Sequence, residues 1–336
     1  MGAEVVVQAA VDAGARFFFG YPITPATEIL ANWVKVAEKH PHLGYLQAED
    51  ETAAGFYVNG CILGNVPAFT ATAAIGNVLM QDGISMAEGM RLPFVGIIVQ
   101  RGGPSTGTVI YSQQELNLTC FGGNGEGLRI VYSPANLQEL YEFTIRAFET
   151  AWSYRFPTFV LTDGYTSKTR TNAKIRRRKG EVRIKNFAPQ PWGSVNLRNC
   201  YSTEEEIAQV LERNIADFNR LGQSVAEAEL YQTEDAEWVI LAHGTVGSAA
   251  REAVEILRQK DKKVGLFRPK TLRPFPVKEF AQIKDKKLFV TESAYGQFKA
   301  LIRRYFPVEM KGFFRPAEGI TPEDIVEAIS QYQIEQ

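Results

Sequence analysis

The chain is predicted to be an α/β protein: a parallel-sheet domain followed by a smaller α/β domain. Two observations predict this. From the N-terminus to about residue 165, short apolar runs rich in Val, Ile and Phe alternate with longer amphipathic stretches, the pattern of a parallel sheet covered by helices. After a polar interruption the alternation resumes at Ala236. A length of 336 residues allows two domains and a small third unit. With 45% hydrophobic and 22% charged residues, the composition excludes disordered and fibrous classes.

In the first domain, strands are expected at 15–19, 44–47, 67–72, 94–100, 129–132 and 158–162, where β-branched and aromatic residues concentrate. Helices are expected between them at 4–13, 25–38, 51–64, 75–89, 113–120 and 135–154. Thr24 reads as an N-cap with Pro25 at the first helical position, and Pro134 precedes the helix carrying Leu137, Leu140 and Tyr141. Residues 168–235 read as a linker with one polar helix near 204–220. This stretch holds the basic run Lys174-Ile-Arg-Arg-Arg-Lys179, expected as a solvated surface, and a Pro-Gln-Pro segment. The second domain, 236–336, is expected to have strands at 238–242, 264–267 and 288–291 and helices at 246–259, 277–283 and 321–333.

Charge gives no global reason to expect nucleic acid or an acidic membrane as partner, since 37 Lys and Arg residues stand against 38 Asp and Glu. The longest apolar runs fall far short of the roughly 20 residues that span a bilayer, and no basic-then-apolar leader is present, so a cytoplasmic protein is expected. Cys61, Cys120 and Cys200 match no metal spacing and no disulfide framework. Any iron-sulfur cluster belongs on another chain.

Ligands of open α/β sheets bind beyond the carboxyl ends of the strands. Four such ends stand out: Tyr21-Pro-Ile-Thr-Pro25, Ala48-Glu-Asp-Glu51, Thr72-Ala-Ala-Ile-Gly76 and Gln100-Arg-Gly-Gly-Pro-Ser-Thr-Gly107. They supply a hydroxyl, a carboxylate, a backbone loop and a guanidinium, which suits a small anionic substrate beside a polar cofactor ring. Thr24 reads equally as a simple cap, and at least two of Glu49, Asp50 and Glu51 as helix-start acids. Arg101 follows a buried run and precedes glycines that let a ligand approach the backbone. No Gly-Lys dipeptide and no G-x-G-x-x-G after a strand occur, and His40, His42 and His243 form no zinc pattern. Gly103-Pro-Ser-Thr-Gly107 fits a nucleophile elbow around Ser105, with Asp163 and His243 downstream. The residues that follow are β-branched and aromatic, not the helix an elbow requires.

As a set, Tyr21-Pro-Ile-Thr-Pro25, Glu49-Asp-Glu-Thr-Ala-Ala-Gly55 and Val99-Gln-Arg-Gly-Gly-Pro-Ser-Thr-Gly107 resemble the alpha subunit of 2-oxoacid:ferredoxin oxidoreductases. The resemblance continues through Ser133-Pro-Ala-Asn136, Pro157 to Asp163, and Leu266 to Pro276. It implies a thiamine diphosphate-binding, pyrimidine-type parallel-sheet domain followed by a transketolase C-terminal-like domain. The diphosphate, magnesium and an iron-sulfur cluster are implied on a partner beta subunit. By motif, Glu51 corresponds to the glutamate at the aminopyrimidine ring, where a carboxyl group favours the imino tautomer. Thr72 and Ile75 flank the loop at the cofactor ring, where many relatives have Ser-Gly-Pro-Gly and this chain has Ala73-Ala-Ile-Gly76. Arg101, Thr24 and Ser105 fall to the substrate's 2-oxo carboxylate. No gamma domain is fused, so gamma and delta subunits are expected as separate chains.

The implied reaction is oxidative decarboxylation of a 2-oxoacid with coenzyme A, passing electrons to ferredoxin, with 2-oxoglutarate favoured. The alternatives are the same reaction on branched-chain 2-oxoacids or pyruvate, a non-catalytic assembly subunit, and a serine hydrolase using Ser105.

Overall fold

The computed structural model describes residues 1–172, 174–178 and 196–334, so Lys179 and the Pro-Gln-Pro segment lie outside the described residues. The chain begins with α1 (Gly2–Asp12), β1 (Phe17–Gly20), α2 (Thr27–Ala37), β2 (Gly44–Gln47), α3 (Glu51–Leu63), β3 (Ala68–Thr72), α4 (Ile75–Leu79) and α5 (Gln81–Gly89). It continues through β4 (Val95–Gln100), α6 (Leu116–Phe121), β5 (Ile130–Tyr132), α7 (Leu137–Tyr154), β6 (Thr158–Asp163) and α8 (Gly164–Lys168). The helix α9 (Glu204–Val225) then leads to β7 (Ala228–Tyr231), β8 (Trp238–Leu241), α10 (Gly244–Arg258), β9 (Val264–Pro269) and β10 (Thr271–Arg273). Last come α11 (Val277–Phe280), β11 (Lys287–Glu292), α12 (Gln297–Arg303), β12 (Lys311–Phe314) and α13 (Pro322–Ile334).

Two sheets result. In the first, β5, β6, β4, β3, β1 and β2 lie side by side and parallel, and β10 adds antiparallel to β5. In the second, β12, β11, β8 and β9 are parallel, and β7 closes one edge antiparallel to β9. The central strands β3, β4 and β6 are buried at every position, as strands covered by helices on both faces must be. Phe69 of β3 anchors the core edge-to-face against Phe18, Trp33 and Phe148, at centroid distances of 4.9, 5.0 and 5.8 Å.

The departures from expectation have local causes. β7 lies inside the stretch expected as linker and belongs to the second sheet, while β10, from the second region, pairs with the first. Both are short edge strands whose partners are remote in sequence, so periodicity alone is a weak signal. α2 starts at Thr27 with Ala26 as an N-cap that makes no side-chain bond, so Thr24 is not the cap. The expected helix 113–120 starts only at Leu116, because residues 113–115 are engaged elsewhere. Arg177 and Arg178 of the basic run pair with Asp12 of α1 and Glu149 of α7 along the surface. Among the described residues no helix is long and apolar enough to cross a membrane.

Candidate active site

The first sheet reverses its winding at β1: β2 lies on one side, and β3, β4 and β6 lie on the other. A crevice opens beyond the carboxyl ends of the strands at such a reversal. Thr24 follows β1, Glu51 follows β2, Thr72 ends β3 and Arg101 follows β4, so all four border this one end.

The acidic run after β2 divides its tasks. Asp50 caps α3, its Oδ1 accepting from the Ala53 amide at 2.7 Å, and Glu49 accepts from the Tyr57 hydroxyl at 3.1 Å. Glu51 turns inward and is 4% exposed. Burial pushes its carboxyl above the ordinary range, and Asp50 pushes the same way; its own backbone amide and the charge of Arg101 pull it down. A carboxyl tuned upward holds a proton more readily near neutral pH, as acid-base work requires. Gly76 makes room for it. A Cβ there would collide with the Thr72 hydroxyl and come within 2.5 Å of Glu51 Oε1. The Thr72 hydroxyl is buried and has no hydrogen-bond partner.

Arg101 is 5% exposed, and its Nη1 donates to the Thr24 carbonyl at 2.6 Å. Its Nε has no partner. The Thr24 side chain is half-buried, so the structure gives Thr24 a backbone contact with Arg101 in place of the expected cap.

One further residue joins these loops and was missed by sequence reasoning. Glu115 is buried, and its Oε1 accepts from the amides of Ala74 at 2.8 Å and Arg101 at 3.1 Å. Its Oε2 accepts from Asn77 Nδ2 at 3.0 Å. Burial raises its pKa against these bonds. Ala74 has φ 47°, a positive backbone angle that favours glycine. A lone glutamate after two glutamines reads only as a helix start, and the sequence offers no other signal.

The elbow does not form. Ser105 is exposed at φ 56° and the next helix begins at Leu116. His243 is fully buried with Nδ1 3.1 Å from Ser133 Oγ, and burial lowers its pKa to about 3. Asp163 accepts from Thr245 at 2.9 Å. His243 and Asp163 thus bond other residues, and Ser105 stands exposed on its loop, so the three make no triad. Two sizeable concavities lie apart from Glu51 and Arg101: a hollow of about 520 Å³ containing Glu139, Glu229 and Arg268, and an apolar groove of about 450 Å³ beside Phe218, Pro274 and Tyr305.

Residues 8–235 match the thiamine diphosphate-binding domain of pyruvate flavodoxin/ferredoxin oxidoreductases, and residues 236–311 match core domain II of pyruvate:ferredoxin oxidoreductase. The chain belongs to the family of 2-oxoacid:ferredoxin oxidoreductase alpha subunits. The 2-oxoglutarate synthase subunit KorA of Methanocaldococcus jannaschii is 32% identical over 339 residues, covering 92% of this chain and 90% of the relative. The ketoisovalerate oxidoreductase subunit VorB of Methanothermobacter thermautotrophicus is 32% identical over 314 residues, covering 90% and 88%. A solved 2-oxoglutarate:ferredoxin oxidoreductase from Magnetococcus marinus, with 2-oxoglutarate, coenzyme A and succinyl-CoA bound, is similar at a TM-score of 0.88 and 26% identity. The similarity covers 98% of this chain and 64% of that one. Glu51, Thr72 and Arg101 all fall within the segment that matches the family's thiamine diphosphate-binding domain.

Proposed function

We propose that the chain is the catalytic alpha subunit of a thiamine diphosphate-dependent enzyme that oxidatively decarboxylates a 2-oxoacid with coenzyme A and passes the electrons to ferredoxin. The observation that carries this reading is the meeting of Glu51, Thr72 and Arg101 at the crevice beside β1. The residues fit the cofactor: an inward carboxyl, a glycine whose missing Cβ lets that carboxyl approach Thr72, and an unpartnered buried hydroxyl suit the edge of a polar ring. Thiamine diphosphate, when bound, supplies a carbon nucleophile and an electron sink for decarboxylation.

Glu51 would hold a proton toward the pyrimidine ring, and Thr72 and Ile75 would line that ring. Arg101 grips the 2-oxo carboxylate through its fork, with Thr24 and Ser105 completing the contacts. Arg101, Thr24 and Ser105 orient the substrate and exchange no proton with it. In this reading residues 1–167 form the pyrimidine side and 236–336 the transketolase C-terminal-like domain. A cytoplasmic beta subunit supplies the diphosphate site, magnesium and an iron-sulfur cluster, with gamma and delta subunits as further partners. The name of the KorA relative and the ligands of the Magnetococcus enzyme support 2-oxoglutarate as substrate. A branched-chain 2-oxoacid is the second reading, favoured by the equal identity to VorB.

The test uses the complex purified with its co-expressed partners, assayed for coenzyme A-dependent viologen reduction. Turnover is expected with 2-oxoglutarate above 2-oxoisovalerate and pyruvate. Absence of coenzyme A-dependent reduction with all three ends the proposal.

A further inference from the structure

We infer that Glu115 is a positioning residue whose carboxylate locks the cofactor-side loop and the substrate arginine in one register. The inference rests on the reading above. One carboxyl oxygen takes two backbone amides, Ala74 from the end of β3 and Arg101 from the end of β4, which are 41 and 14 residues away in the chain. The other takes Asn77 Nδ2 from α4. Both oxygens are committed to the protein, so Glu115 sets geometry and does not exchange protons with a substrate.

The Ala74 bond matters because an alanine at φ 47° and ψ −116° is held against its own preference. Release of that amide lets the loop relax away from the Thr72 hydroxyl and Gly76. Release of the Arg101 amide frees the main chain that aims the guanidinium at the Thr24 carbonyl.

The anchorage of Glu115 comes from the second domain. Gln113 exchanges backbone and side-chain bonds with Ser293 at 3.0 and 2.9 Å and donates to the His243 carbonyl at 2.8 Å. Gln114 accepts the Gly103 amide at 3.0 Å through its side chain and the Gln297 side chain at 2.7 Å through its carbonyl. Three consecutive polar residues therefore form a strut from the second sheet to two loops of the site. Through it the second domain orients Arg101.

The experiment is a double-mutant cycle in the complete complex, reading kcat and KM for the 2-oxoacid with Glu115→Ala, Arg101→Ala and the pair. Glu115→Ala is expected to raise KM at least tenfold with a smaller change in kcat, and to add less than twofold in the Arg101→Ala background. Glu115→Gln keeps an acceptor for both amides but sets a donor against Asn77 Nδ2, and is expected to recover part of the loss. Glu115→Asp keeps the charge but cannot reach both amides, and it provides the same cycle if the alanine variant fails to assemble. An unchanged KM in Glu115→Ala, or full additivity of the pair, overturns the inference alone. A wild-type KM in Arg101→Ala overturns the substrate role of Arg101, and this inference with it.

Discussion

Glu51 owes its readiness to hold a proton to burial at the first turn of α3, with Asp50 beside it and Arg101 opposing. Glu51→Gln keeps the shape and removes the titratable group. The variant complex is expected to assemble with unchanged mass and to lose about 10²- to 10⁴-fold in turnover. Arg101→Lys keeps the charge but removes the planar fork that holds the Thr24 carbonyl and, in the proposed function, the substrate carboxylate. An increase in KM of about tenfold or more is expected, measured by steady-state kinetics. His243 makes a pH prediction. The folded protein keeps its imidazole neutral to about pH 3, while the unfolded chain takes a proton near 6.5. Its contribution is therefore complete above pH 6.5 and lost as the pH falls through that window, by about 1.4 kcal/mol per unit. His243→Asn is expected to flatten the acid side of the stability curve in denaturant titrations between pH 6.5 and 4. The buried carboxyls with raised pKa act in the opposite sense but are shared by both proteins, so they cancel in the comparison.

At the scale of elements, the turn from β3 into α4 carries the site because Gly76 lets two side chains meet over its Cα. Gly76→Ala is expected to displace the Glu51 carboxyl and abolish turnover, while the complex keeps its mass and the melting temperature falls by only a few degrees. Much of this element logic was legible in the sequence. Buried parallel strands are continuous apolar runs, so β3, β4 and β6 and the polar residues that follow them could be read directly. Asp50 and Glu51 could be placed at a helix start, but the turn of Glu51 inward depends on Gly76, 25 positions further along. Thr24 followed by Pro25 imitates a capped helix start, and the fold instead uses its carbonyl to hold Arg101. Glu115 was illegible for the same kind of reason: its meaning lies in two amides in loops that follow other strands.

At the scale of the molecule, Arg268 joins the two regions. Its guanidinium makes two bonds to Glu139 of α7, at 2.9 and 2.6 Å, and one to Glu229 of β7 at 2.7 Å, and it is 5% exposed. Arg268→Met leaves the largely enclosed carboxylate of Glu139 without its cation, while Glu229 keeps its pairing with Arg251. A loss of about 3 kcal/mol is expected in urea unfolding; a loss below about 1 kcal/mol shows that water replaces the ion pair. The crossed edge strands extend this dependence. β10 finishes the first sheet although it follows residue 235, and β7 finishes the second although it precedes it. Cleaving the polypeptide at residue 235, where the two family matches abut, takes a border strand from each half and bares the hydrogen-bonding rim of β5 and of β9. Neither half is then self-sufficient: produced apart, the fragments face self-association, and produced together, they can recover a native structure only by trading strands across the cut.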